Sequence, residues 1–187
     1  MTRPRIYVDT NVHYPYYVSD LFGFLATYSL VDLLWSDYLV NEVLEKVPSV
    51  ARTRQWDALR RAFPECAVTE DEWRRRMSDA TGPDPDDHPH QAAAMAGGAD
   101  VLVSNDRRGF PAGPLAVHGV RVQTADEFLC DLLDAEPLGV TETLIRRAGM
   151  FRNPAMTLVG YLEVLARSLP AFADAAADAC GRRRGKS

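Results

Sequence analysis

Four places along this 187-residue chain put acids where they could do chemistry. Asp9 follows Ile6-Tyr7-Val8 and leads into Thr10-Asn11. Asp106 follows Val101-Leu102-Val103-Ser104-Asn105, so a second apolar run ends in a hydroxyl, an amide and an acid. Asp86 and Asp87 close a loop rich in proline, and Glu42 borders the apolar face of a helical stretch. Carboxylates brought together repel one another and need compensation. A divalent cation is the usual remedy, and hard oxygen donors select Mg²⁺ or Mn²⁺. Such a centre orients water for in-line attack on a phosphodiester and stabilises the charge that develops. Each acid also has a plainer reading. Asp9 and Asp86 or Asp87 suit helix N-caps, and a lone glutamate is usually a surface residue.

The elements that must position these acids follow from pattern. Ile6-Tyr7-Val8 and Val101-Leu102-Val103 are short apolar runs of the kind buried in parallel sheets. In open α/β sheets, ligands bind at the carboxyl edge where such strands stop. Residues 30–36 and 119–123 are further strand candidates. Helices are expected over 12–30, with Pro15 in the first turn, and over Asp37–Val47 after the cap Ser36. Further helices are expected over 51–63, over 69–79 after the cap Thr69, over 91–96, and over 125–133 after the cap Thr124. Residues 82–90 carry too many prolines for regular structure. The pattern beyond Pro137 is helical over about 138–148, 154–168 and 170–179, with breaks at Asn153-Pro154 and Leu169-Pro170.

Composition sets the frame. The length suits one main domain with a small appendage. A 47% hydrophobic, 25% charged chain is ordinary for a globular protein, and a net charge of −5 gives no global basic signal for nucleic acid. Three dispersed cysteines (Cys66, Cys130, Cys180) match neither a disulfide framework nor zinc spacing, which fits a reducing, cytoplasmic setting. No apolar run approaches ~18 residues, so no membrane span is expected, and the early strand leaves no room for a signal peptide. His88 and His90, separated by proline, read as loop residues near a substrate rather than metal ligands. His13 and His118 have no supporting context.

Taken in order, these motifs resemble the PIN domain, the metal-dependent ribonuclease fold of many prokaryotic toxins. Tyr7-Val8-Asp9-Thr10-Asn11 resembles its first motif, and Trp35-Ser36 with Asn41-Glu42-Val43 its second. Asp86-Asp87-His88 and the run Ala92 to Asp106 resemble its third and fourth, with Arg107-Arg108-Gly109-Phe110-Pro111 as the loop after them. Gly119-Val120-Arg121-Val122 into Asp126-Glu127-Phe128-Leu129 resembles the closing strand and helix, so the likeness spans about residues 5–133.

The resemblance implies a three-layer α/β/α domain over 1–136 with a central parallel sheet. Extra C-terminal helices over 137–180 would follow, and the polar run 181–187 reads by its composition as a disordered tail. It implies an endoribonuclease, the toxin of a toxin–antitoxin pair, using Mg²⁺ or Mn²⁺. Asp9, Glu42, Asp87 and Asp106 would be the catalytic acids and metal ligands, with Asp87 preferred to Asp86 by its distance from Ala92. Thr10, Asn11, Ser104, Asn105 and Asp86 would orient those ligands and bound water. Arg52, Arg54, Arg74, Arg75, Arg76, Arg107 and Arg108 are the candidates for RNA backbone contacts. Expected partners are RNA, a cognate antitoxin and a second copy of the chain. The rival readings are a PIN-like RNA- or protein-binding module without catalysis, and a structure-specific DNA nuclease.

Overall fold

A computed structural model describes residues 3–152 and 154–184. Four strands, β1 (Arg5–Val8), β2 (Asp32–Leu34), β3 (Val101–Val103) and β4 (Arg121–Gln123), pair in the order β2-β1-β3-β4, all parallel. Ile6, Tyr7, Val8 and all of β3 are fully buried, as strands covered on both faces should be.

The connections explain where a site can form. β1 leads through α1 (Thr10–His13) and α2 (Tyr16–Thr27) to β2. β2 returns to β3 through α3 (Asp37–Lys46), α4 (Val50–Ala62), α5 (Glu70–Arg74) and α6 (His88–Ala96). Right-handed crossovers running in opposite directions put α2 and α6 on opposite faces, giving three α/β/α layers. β3 continues to β4 through α7 (Ala112–Val117). The chain therefore leaves β1 and β3 toward opposite faces, and a crevice opens at their carboxyl ends. Asp9 and Ser104 are the first residues past those ends.

Several sequence boundaries shift. The single helix expected over 12–30 is broken by Pro15, which lacks the N–H a continuous helix needs and caps α2 instead. The helix expected over 69–79 is a single turn-and-a-half, α5, followed by a 3-10 turn at Met77–Asp79. α6 starts at His88 rather than 91, with Pro89 in its first turn where proline is tolerated. The C-terminal helices are α8 (Ala125–Ala135), α9 (Pro137–Met150), α10 (Leu158–Ala166) and α11 (Pro170–Arg184). Residues 181–184 therefore belong to α11 rather than to a disordered tail; 185–187 lie outside the described residues, as does Asn153.

The helical extension is docked by chemistry the pattern does not show. Asp126 on α8 accepts from Ala171 N (3.1 Å) and Phe172 N (2.8 Å), capping α11 from another helix. Arg147 on α9 forms a bidentate pair with Asp20 on α2, at 2.5 and 3.0 Å. Among the described residues no helix is long and apolar enough to cross a membrane.

His13 is buried where α1 meets α4, its ring edge-on to Trp56 at 5.0 Å and its Nδ1 3.0 Å from Ser19 Oγ. Burial, reinforced by the charge of Arg52, pushes its pKa down from 6.5 to about 3. Between those values the unfolded chain binds a proton that the folded chain refuses. Stability is therefore lost as pH falls below about 6.5, by roughly 2 kcal/mol at pH 5. Urea denaturation at pH 7.5 and pH 5 isolates this contribution by comparison: the change in stability should be less favourable in wild type than in His13→Gln by roughly 2 kcal/mol, since the raised carboxyls of Asp87 and Asp9 act in both proteins. An equal change in both proteins sinks the assignment.

Candidate active site

Asp9 caps α1, with Oδ1 accepting from Thr10 N at 2.7 Å, and Oδ2 faces the crevice network. Because β1 and β3 are neighbours, Asp9 N donates to Val103 O (2.9 Å) and Ser104 comes alongside. Ser104 Oγ donates to Asp9 Oδ2 at 2.8 Å, and Asn11 Nδ2 donates to the same oxygen. Ser104 Oγ accepts in turn from Asp106 N (3.0 Å) and Asn11 Nδ2 (3.1 Å). Asn11 Oδ1 accepts from Asn105 N (3.2 Å), and Asn105 Oδ1 from Ala125 N (3.3 Å). The hydroxyl–amide–acid trios after β1 and β3 are thus one interlocked unit.

Asp106 folds its Oδ1 back onto Arg108 N (2.9 Å) and Gly109 N (3.2 Å), a tight loop that leaves Oδ2 facing out. Asp87 meets it there. A Cβ on Gly109 would fall on Asp87 Oδ2, 2.9 Å from Asp87 Cγ and 3.1 Å from Asp106 Oδ2. Gln91, fully buried on α6, holds the two loops in place: Nε2 donates to Thr81 O (2.6 Å) and Gly109 O (2.9 Å), and Oε1 accepts from Thr81 N (3.0 Å). Asp86 is exposed, and Tyr38 Oη donates to its carbonyl at 3.4 Å, so of the two neighbours it is Asp87 that joins the other acids.

Glu42 enters from α3, which Ser36 caps by accepting from Leu39 N (3.2 Å). Its Oε2 accepts from Thr10 Oγ1 (2.6 Å) and lies 2.7 Å from His90 Nε2; His90 is also 4.0 Å from Asp9 Oδ1. His90 is only 2% exposed. It belongs to a helix, not to the loop expected around it, and the sequence reading missed its place beside the acids. Only its position three residues past Asp87, one turn into the helix, could have pointed there.

The electrostatics follow from this crowding. Burial raises the Asp9 carboxyl above its ordinary value. Desolvation first, then the charges of Asp9 and Asp84, raise Asp87 to about 6. Glu42 goes the other way: the His90 hydrogen bond, ahead of that from Thr10, holds it below the usual carboxylate range. Among the described residues no lysine or arginine side chain hydrogen-bonds any of the four acids. Glu42 Oε1, Asp106 Oδ2 and both Asp87 carboxylate oxygens carry no hydrogen bond there either. Hard, uncompensated oxygens of this kind suit a divalent cation of the Mg²⁺ class. Among the described residues no group of three or more His, Cys, Asp and Glu side chains stands in an arrangement that could hold a metal ion.

The arginines divide. Arg108 lines an open hollow of about 670 Å³ with Pro83, Asp84, Asp87, Asp106 and Gly109. Arg107 pairs with Glu127, Arg74 with Glu70 (2.5 Å) and Arg76 with Asp79 (2.9 Å), while Arg75 reaches the carbonyl of Asp71 (2.8 Å). Arg54 is exposed on α4, beside a separate hollow between α2 and α4. Arg52, expected on an RNA-binding surface, is 3% exposed. It stacks over Tyr16 and donates to Tyr14 O at 2.7 Å, because its α4 face turns inward. That position pins the exit of α1 and takes Arg52 off the surface.

Residues 125–178, from the first residue of α8 into α11, match a family model described as the VapC50 C-terminal domain. VapC names belong to PIN-domain toxins. No curated protein matches the chain. No solved structure matches it either. The matched stretch is mostly the helical extension, and it overlaps the PIN-like motifs only at α8.

Gly109 offers a local test. Asp87 is a side chain that can swing aside, so Gly109→Ala should leave the melting temperature nearly unchanged. It should lower any metal-dependent activity by about 10–100-fold, the usual cost of misplacing a group around a metal centre. Full activity in that variant would remove Asp87 from the site.

Proposed function

We propose that this protein is a metal-dependent endoribonuclease acting as the toxin of a toxin–antitoxin pair. The observation that carries this reading is the meeting of Asp87 and Asp106 at Gly109, beside the network that ties Asp9 to Asp106 and brings Glu42 within reach through Thr10 and His90. The VapC-type match over 125–178 supports the toxin part and the expectation of a cognate antitoxin.

Asp9, Glu42, Asp87 and Asp106 would hold Mg²⁺ or Mn²⁺. A cation bound there supplies Lewis-acid polarisation of the phosphate and an acidified water at neutral pH. The protein's own part is positioning. Thr10 and His90 fix Glu42, Ser104 and Asn11 fix Asp9, and the amides of Arg108 and Gly109 fix Asp106. Arg108, at the rim of the hollow, is placed to meet a substrate phosphate with a planar guanidinium. Hydrolysis by water attack leaves a 5′-phosphate and a 3′-hydroxyl.

The test is cleavage of total cellular RNA by the purified chain with Mg²⁺, with Mn²⁺ and with chelator. Cleavage that needs the metal and leaves 5′-phosphate ends is the expected result. Cleavage that survives chelation, or none under any metal, overturns the reading in favour of a binding module.

A further inference from the structure

A line of buried polar side chains ends on one of the acids. Ser36 Oγ lies 3.1 Å from Tyr7 Oη, Tyr7 Oη lies 3.1 Å from His90 Nδ1, and His90 Nε2 lies 2.7 Å from Glu42 Oε2. Ser36 and Tyr7 are completely buried and His90 nearly so. They come from the N-cap of α3, from β1 and from α6, three elements locked by the core. Buried polar groups of this kind are costly unless every donor and acceptor is used.

Here the directions close. Facing a carboxylate, Nε2 carries a proton in either charge state of the ring, so it donates to Glu42. In the neutral ring Nδ1 then accepts from the Tyr7 hydroxyl, which accepts from Ser36, which accepts from Leu39 N. Thr10 Oγ1 donates to the same Glu42 oxygen, Oε2, at 2.6 Å. Both anchors therefore hold Oε2, and Oε1 has no hydrogen-bond partner among the described residues.

We propose that His90 is a positioning residue: backed by Tyr7, it clamps Oε2 of Glu42 and so reserves Oε1 for a divalent cation. This rests on the ribonuclease reading given above. A histidine that merely filled a polar gap would matter for stability and not for metal affinity, so metal affinity is the deciding measurement.

The experiment is calorimetric titration of the full chain with Mn²⁺, with circular dichroism melts in parallel. His90→Leu should weaken Mn²⁺ binding by about 10–100-fold, the range for partners that orient a metal ligand. His90→Gln, whose side-chain amide N–H replaces Nε2–H, should recover most of that loss. Tyr7→Phe, nearly isosteric, should weaken binding in the same direction, and it decides the matter if His90→Leu does not fold. Glu42→Gln alone and combined with His90→Leu should bind alike, because the two act as a unit. Wild-type affinity in a folded His90→Leu or in Tyr7→Phe overturns the inference, as does a His90→Gln no better than His90→Leu. In that event, metal-dependent RNA cleavage by the wild type keeps the ribonuclease reading. If the wild type neither binds Mn²⁺ nor cleaves RNA, that reading fails and takes this inference with it.

Discussion

Asp9→Asn is expected to lower metal-dependent RNA cleavage by at least about 100-fold, since a metal ligand is asked to supply several kcal/mol of transition-state stabilisation. The effect should come from charge and from geometry together. Oδ1 accepts from Thr10 N and Oδ2 from Ser104 Oγ and Asn11 Nδ2. A carboxylate accepts on both sides, whereas an amide accepts on one and donates on the other. At the Oδ2 position the new NH₂ would face two donors, and turned over it would face Thr10 N. Ser104 can turn its hydroxyl to accept, but it already accepts from Asp106 N and Asn11 Nδ2. The disturbance therefore passes to the Asp106 loop. Stability should move much less, by ~1–2 kcal/mol, the cost of a mismatched buried hydrogen bond. Part of even that is offset, because burial already raises this carboxyl above its ordinary value and the variant carries no charge to desolvate. Cleavage and melting temperature measured side by side separate the two effects. Undiminished cleavage in a folded Asp9→Asn leaves Asp9 as a helix cap and nothing more.

Arg147→Met is expected to cost about 3–5 kcal/mol of stability, because it strands a buried charge. The pair has side-chain exposures of only 11% for Arg147 and 7% for Asp20. The guanidinium also lies over Phe151 at 3.9 Å and Phe24 at 4.6 Å, so aromatic faces cover the cation. Burial raises the Asp20 carboxyl despite the two hydrogen bonds from Arg147. Without its partner that carboxylate has little to stabilise it. The double variant Asp20→Leu with Arg147→Met should regain much of the loss, since two apolar groups of similar volume can replace a buried ion pair. Urea denaturation of the three variants measures this. A single-variant cost below about 1 kcal/mol would mean that α9 is held to α2 by apolar packing alone.

The strands and most helix starts are legible because each is a local matter: Ile6-Tyr7-Val8 and Val101-Leu102-Val103 announce buried strands by composition. Ser36, Thr69 and Thr124 mark helix starts because a cap is read three residues away, and all three act as caps. The break at Pro15 was misjudged, since a proline fits the first turn of one helix as well as the gap between two.

What only the tertiary structure decided is everything that joins distant residues. Gln91 draws residues 81 and 109 onto one side chain, and Asp87 meets Asp106 at the loop so held. His90 stands against Glu42 across 48 positions of sequence, and Arg147 against Asp20 across 127. Arg52 looked like a phosphate contact in a basic run, yet the face it occupies turns inward. Residue type and local periodicity determined which elements form and, at Ser36, Thr69 and Thr124, where they begin. Which face of α4 or α6 turns inward is a property of packing, and packing alone chose the partners of each buried polar group.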